Sequence, residues 1–179
     1  MIFRHFLLDV NEANLYVAAC EATRQALIVD AGGFDSRVVE FVRERGLIPA
    51  AIAITHDHHD HTGGLAQYRR AFGCRAIGAQ DLRDGTAIPC GRLEFRALLT
   101  PGHTSDAACY YCAAEKIAFT GDTLFAGSIG GTASESQKQQ EIASIRAKLF
   151  SMPGETILCP GHGPLTTVAI EKAANPFFV

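Results

Sequence analysis

No stretch of the sequence reaches the roughly 20 consecutive apolar residues that a bilayer span requires. The opening MIFRHFLLDVNEAN is broken at Arg4 and His5, so it lacks both the long apolar region and the small-residue cleavage site of a secretory leader. Positive charge is not in excess either. Lys and Arg number 16 against 19 Asp and Glu, a net charge of −3, which offers no field to attract a phosphate backbone. Together these absences predict a cytoplasmic protein that engages neither membrane nor nucleic acid. No low-complexity linker or charge run divides the chain, and 179 residues suffice for one well-buried domain spanning 1–179. Its 47% hydrophobic and 20% charged residues argue against disorder.

Six cysteines are present, scattered and mostly in apolar surroundings. Cys109-Tyr-Tyr-Cys112 has C-x-x-C spacing, but it lies in the strand-like run AACYYCAA. Residues i and i+3 of a strand face opposite ways, so the pair is read as core thiols.

Residues 14–20 (NLYVAAC) and 26–30 (ALIVD) read as a hairpin across the polar turn EATRQ. Asp35-Ser36 opens a helix with apolar positions at Val38, Val39, Phe41 and Val42 and a stop at Gly46. PAAIAIT (49–55) has the continuous apolar character of a strand buried on both faces. A helix is expected up to Gly73, then strands at 75–79, 93–100, 107–113 and 116–122. The longest helix is expected over 134–150, with Ile142, Ile145 and Leu149 on one stripe. A strand running into a loop over 155–164 and a last helix before Pro176 complete the chain. The pattern predicts two sheets with helices outside them.

Into this frame the sequence places THDHHDH (55–61), four of its seven histidines and two aspartates within seven residues. Further metal-binding side chains follow apolar strands: His103 after RALLTPG, Asp122 after IAFTG and His162 after TILCPG. Four strand ends could therefore converge on one sheet edge. In an extended segment His56 and His58 leave on the same side and can grip one ion. Asp60 and His61 turn away and suit a second. His103 completes the first set, His162 the second, and the two oxygens of Asp122 can bridge. Two cations about 3.5–4 Å apart can hold a hydroxide between them and polarise a carbonyl. Asp60 would then fix the second ion and orient the nucleophile, so Asp60 and Asp122 are the candidate catalytic carboxylates. His59 points away from its neighbours, and His5 is an ordinary strand residue. Asp57 either orients a ligand imidazole or is surface charge.

T-H-x-H-x-D-H at Thr55–His61, followed by Thr62-Gly63-Gly64, resembles the signature of the metallo-β-lactamase superfamily. TPGHT (100–104), TGDTLFAGSIG (120–130) and PGHGP (160–164) match in order, so the likeness covers nearly the whole chain. It implies an α/β fold, a four-layer αβ/βα sandwich with a binuclear site at one edge. By position, His56, His58 and His103 correspond to ligands of one metal, and Asp60, His61 and His162 to those of the other, with Asp122 bridging. Zinc is the first candidate, iron and manganese the others. The antibiotic-hydrolysing members typically carry cysteine where this chain has Asp122. The likeness is strongest to the glyoxalase II-like branch, hydrolases of glutathione thioesters, in which Tyr110 matches a tyrosine near the thiol substrate; as a strand residue Tyr110 reads equally as packed in the core. Three features depart from that branch: no C-terminal helical extension follows NPFFV, Ala107 replaces a second histidine, and GSIGRTD becomes Gly127-Ser-Ile-Gly-Gly-Thr-Ala133.

The expected function is thus a metal-dependent thioester hydrolase acting on a small, glutathione-linked or similar substrate. The alternatives are a persulfide dioxygenase with one non-haem iron on His56, His103 or His58, and Asp122, or another superfamily hydrolase acting on lactones or phosphoesters. A non-catalytic binding module would be expected to have lost ligands, and here all seven positions are filled.

Overall fold

Two sheets pack face to face, and each is covered outside by helices. The computed structural model describes all residues, Met1–Val179. Sheet one comprises β1 (Ile2–Leu7), β2 (Asn14–Ala19), β3 (Gln25–Val29), β4 (Ile48–Ala53) and β5 (Arg75–Ile77), in that spatial order. β1–β2–β3 is an antiparallel meander, and β3, β4 and β5 run parallel. Sheet two is ordered β13 (Thr166–Thr167), β12 (Ile157–Pro160), β9 (Ile117–Gly121), β8 (Ala108–Cys112), β7 (Leu93–Leu99), β6 (Ala87–Cys90). A short hairpin of β10 (Leu124–Phe125) and β11 (Ser128–Ile129) follows β9.

The period-2 alternation of strand side chains sorts the core into three layers. Tyr16, Ala18, Leu27 and Val29 of sheet one meet Phe95, Tyr110 and Phe119 of sheet two in the central layer. Leu15, Val17 and Ile28, one register away, face α1 (Ser36–Glu44) and α3 (Leu65–Phe72) through Val38, Val42 and Tyr68. On the far side Cys109, Ala118 and Leu158 pack on Ile145, Leu149 and Val168, in and around α4 (Glu135–Ser144) and α5 (Val168–Ala174). This is the four-layer αβ/βα sandwich. Cys109 and Cys112 fall in different layers, on opposite faces of β8, and all six thiols are free.

Local signals act as expected at most boundaries. The Asp35 carboxylate accepts from the N–H of Arg37 and caps α1. α3 ends at Gly73, in the left-handed region at φ 68°. β6 is unexpected because Pro89 interrupts its run; the proline is tolerated because β6 is the sheet's edge. The helix over 134–150 also differs. Past Ser144 it widens into a π-helical turn, Ile145–Leu149, and the buried stripe is Glu141, Ile145 and Leu149, with Ile142 only half-buried. No helix is long and apolar enough to cross a membrane.

Candidate metal centre

Strand direction explains why distant residues meet. β7 and β9 both pair antiparallel with β8, and β12 pairs parallel with β9, so all three end at the same edge of sheet two. The loops after them carry His103, Asp122 and His162. The loop after β4 brings His56 and His58 from sheet one, and the short helix α2 (His59–Thr62) carries Asp60 and His61. Main-chain bonds join the two sheets here: Ala108 N–H donates to Thr55 O, and Asn14 N–H to Gly161 O.

His56, His58 and His103 converge so that His58 Nδ1 lies 3.0 Å from His56 Nε2 and 3.2 Å from His103 Nε2. Nitrogens about 2.0–2.1 Å from a tetrahedral ion are about 3.3 Å apart, so this spacing suits a shared cation. Asp60, His61 and His162 form a second group, with His162 Nε2 3.5 Å from Asp60 Oδ2. Asp122 lies between them. Its Oδ2 is 3.9 Å from His56 Nε2, 3.7 Å from His103 Nε2 and 3.6 Å from His162 Nε2, while Oδ1 is 3.4 Å from His61 Nε2. His59 is exposed and belongs to neither group.

Two atoms test whether a cation fits. His61 Nε2 and Asp122 Oδ1 are buried yet have no hydrogen-bond partner, a costly state that a shared cation would relieve. The backbone makes room for them at Gly161, where a Cβ would collide with Asp122 Oδ1 and lie 2.7 Å from His61 Cε1. The donor set of imidazoles and carboxylates suits zinc, iron or manganese.

Surrounding groups set the charge of the ligands. Burial, then the neighbouring His61, His103 and His58, lower the pKa of His56 to about 2, so its ring is neutral. Burial opposes charge on His61 too, but Asp30, Asp122 and Asp60 outweigh it and raise the pKa to about 9. Burial holds the Asp122 carboxyl above its ordinary range, against the pull of His61, His162 and His103. Asp60 overcomes its burial penalty through the Asn11 amide, which donates to Oδ2 at 3.0 Å, and through His61, and its carboxyl stays below the ordinary range.

Several participants escape a reading of the sequence alone. Asp30 follows β3 with φ +62° and accepts from Thr55 N–H, Thr55 Oγ1 and His61 Nδ1. It takes the orienting role considered for Asp57, which is exposed and whose backbone N–H bonds Asp106 instead. Gly131 O lies 2.6 Å from His103 Nδ1 and leaves Nε2 for the cluster. Beneath this loop Glu141 is fully buried, with no well-formed hydrogen bond to either oxygen. Burial raises its pKa to about 8, opposed by the N–H groups of Gly130 and His103 that face it. It packs so close under the loop that a Cβ at Gly102 would collide with its own Cβ.

Of the two readings of Tyr110, the structure shows the core one. It is fully buried in the layer between the sheets, and its hydroxyl donates to Ile54 O at 2.6 Å. The side chain satisfies a core carbonyl and is closed off from solvent.

Fold and cluster together define a four-layer sandwich with paired ligand sets at its edge, and the profile of the metallo-beta-lactamase superfamily matches residues 8–84 and 79–162. The chain belongs to that superfamily, whose members are in general metal-dependent hydrolases. It is 31% identical to a probable metallo-hydrolase, YqgX, of Bacillus subtilis, over 99% of this chain and 97% of that one. It is 29% identical to the hydroxyacylglutathione hydrolase GloC of Haemophilus influenzae, over 86% of this chain and 87% of that one. The hydroxyacylglutathione hydrolase of Chromohalobacter salexigens is 33% identical over 87% of this chain, which spans only 64% of its length. Among solved structures, the B3 metallo-beta-lactamase BLEG-1 superposes with a TM-score of 0.92 at 28% identity, over 99% of this chain and all of that one. ETHE1 from Myxococcus xanthus superposes at 0.89 with 32% identity, over 98% of this chain and 84% of that one.

Proposed function

We propose that the protein is a binuclear metal-dependent hydrolase of small thioesters. The observation that carries this reading is the pair of three-residue ligand groups, His56/His58/His103 and Asp60/His61/His162, with Asp122 between them. The resemblance to hydroxyacylglutathione hydrolases supports the thioester as substrate.

The seven side chains would hold two divalent ions, zinc first and iron or manganese as alternatives. Such ions supply Lewis acidity and make water a nucleophile at neutral pH. The chain's own contribution is orientation. Asp30 holds the His61 ring so that Nε2 faces the cluster, and Gly131 O does the same for His103. The Asn11 amide fixes Asp60, which positions its imidazole neighbours and the attacking water. Hydrolysis adds water across the acyl carbon and breaks the C–S bond, releasing a thiol and a carboxylate.

A second reading, a mononuclear non-haem iron persulfide dioxygenase, draws on the likeness to ETHE1 and on His56, His103 and Asp122 as two imidazoles and one carboxylate. One experiment separates them. Metal analysis of the purified protein is combined with thioester cleavage under nitrogen and oxygen uptake with glutathione persulfide. Two metal equivalents with anaerobic cleavage support the hydrolase; uptake without cleavage refutes it. A lactone, a phosphoester and, given the likeness to BLEG-1, a β-lactam complete the substrate panel.

A further inference from the structure

Apart from their histidines, the loops that carry the cluster bear acidic side chains and no basic one. Segments 8–13, 55–62, 101–107, 122–134 and 160–165 together contain six carboxylates and neither lysine nor arginine. Asp60 and Asp122 belong to the cluster. The other four, Asp9, Glu12, Asp57 and Asp106, are exposed or half-buried on the surrounding loops. The Asn11–Asp60 hydrogen bond places the turn holding Glu12 beside the site. Two basic groups on adjoining elements are engaged elsewhere. Arg37 pairs with Asp35, and Lys138 lies 5.3 Å from the Phe177 ring centroid.

Two of the acids line a cavity of about 360 Å³ that adjoins His56 past the ends of β4 and β5. Ile54, Leu65 and Ile77 give it an apolar wall, and Asp57, Gln80 and Asp106 a polar one. The Asp57 N–H donates to Asp106 Oδ2 at 3.0 Å, so the loops carrying His56 and His103 are tied together along this wall.

A thioester has two arms, acyl and thiol. Metal charge at the centre would attract the carbonyl and the sulfur, but the arms extend over the rim. There an arm meets the Asp57 and Asp106 carboxylates, with no lysine or arginine among the residues that line the cavity. Like charges facing each other in a partly desolvated groove are repelled, and the effect weakens with salt.

We propose that this site selects thioesters whose arms are neutral or cationic, seating an ammonium or uncharged donor against Asp57 and Asp106, and disfavours polyanionic thiol carriers. The proposal rests on the thioester-hydrolase reading and narrows its substrate class.

The test uses the metal-loaded full chain and one acyl group, acetyl, on four thiols: thiocholine, N-acetylcysteamine, glutathione and coenzyme A. The expected order of kcat/KM is thiocholine, N-acetylcysteamine, glutathione, coenzyme A. At least a tenfold span is expected at low salt, shrinking at 0.5 M. Asp57→Asn and Asp106→Asn should each lower the thiocholine-to-glutathione ratio about threefold or more, and Asp57→Lys should reverse the preference. Faster turnover of the coenzyme A or glutathione ester than of the neutral one, or a ratio unmoved by these substitutions, overturns the proposal. A second measurement does not depend on turnover: the affinity of free thiocholine and of mercaptosuccinate for cobalt-loaded protein, read from thiolate–cobalt absorption. If no thioester of any charge is cleaved, the hydrolase reading fails, while the thiol affinities still decide the charge preference. Tighter thiocholine supports it, and equal or reversed affinities sink it.

Discussion

His61 Nδ1 lies 2.8 Å from Asp30 Oδ2, a contact between the end of β3 and a ring 31 positions later. The same carboxylate accepts from the N–H and hydroxyl of Thr55, so one buried side chain anchors both ends of the THDHHDH loop. Asp30→Ala strands these donors in the interior and should cost about 1–3 kcal/mol of stability. It should also weaken metal binding about 10–100-fold. Denaturant titration and competition with a chelator measure the two effects, and unchanged metal affinity would refute the orienting role.

The pKa of about 9 at His61 makes a pH prediction. Its folded value is raised above the ordinary histidine value of about 6.5. The metal-free protein therefore gains stability from the charged ring below pH 6.5 and loses it as pH rises through 9. A cation must displace that proton, so affinity should climb between pH 6.5 and 9. His56, near 2, adds nothing in this range. Calorimetry at pH 7 in two buffers of different ionisation enthalpy should show release of about one proton or more.

Removal of a ligand should separate fold from function. His103→Ala deletes a half-buried ring whose Nε2 meets His58, so the fold should survive while metal content falls and turnover drops by orders of magnitude. Asp122→Ala should abolish tight retention of two ions. Two tightly bound equivalents in that variant, by elemental analysis after dialysis, would argue against a bridging carboxylate.

Glu141 is a buried carboxyl with pKa near 8, against about 4.3 for an exposed glutamate. Here the folded state holds the proton more tightly, so the metal-free protein should lose stability as pH rises from about 4.5 to 8. Glu141→Gln stays neutral throughout. It should exceed the wild type by on the order of 1–3 kcal/mol at pH 9 and match it more closely at pH 5. Parallel urea curves at both pH values would contradict this.

Tyr110→Phe tests the core role of that residue. The lost hydroxyl leaves Ile54 O without its donor, which should cost about 1–2 kcal/mol. kcat and KM on the best thioester should stay within about twofold of wild type. A large rise in KM alone would restore the tyrosine to the substrate site.

Much of the architecture was legible along the chain because its signals are local. Continuous apolar runs marked β4 and β9, Asp35 and Gly73 marked helix ends, and C-x-x-C on a strand implied opposite faces. The elements that escaped carry weak or contrary local signals. Pro89 masks β6, and β10, β11 and β13 are two residues long, held by pairing rather than by pattern. Glu141 broke the helical stripe because a carboxylate reads as solvent-facing, and only packing beneath Gly102 shows otherwise.

By itself the sequence determined which chemical groups were available and where strands would deliver them. Residue type and spacing are properties of the chain, and the pleat of a strand translates spacing into direction. Only the tertiary structure decided which atoms meet. The registers of β4, β7, β9 and β12 set Asp122 between two imidazole groups, made Asp30 rather than Asp57 the partner of a ligand ring, and turned Tyr110 into the core. Those outcomes depend on contacts between residues 31 to 66 positions apart, which no local pattern encodes.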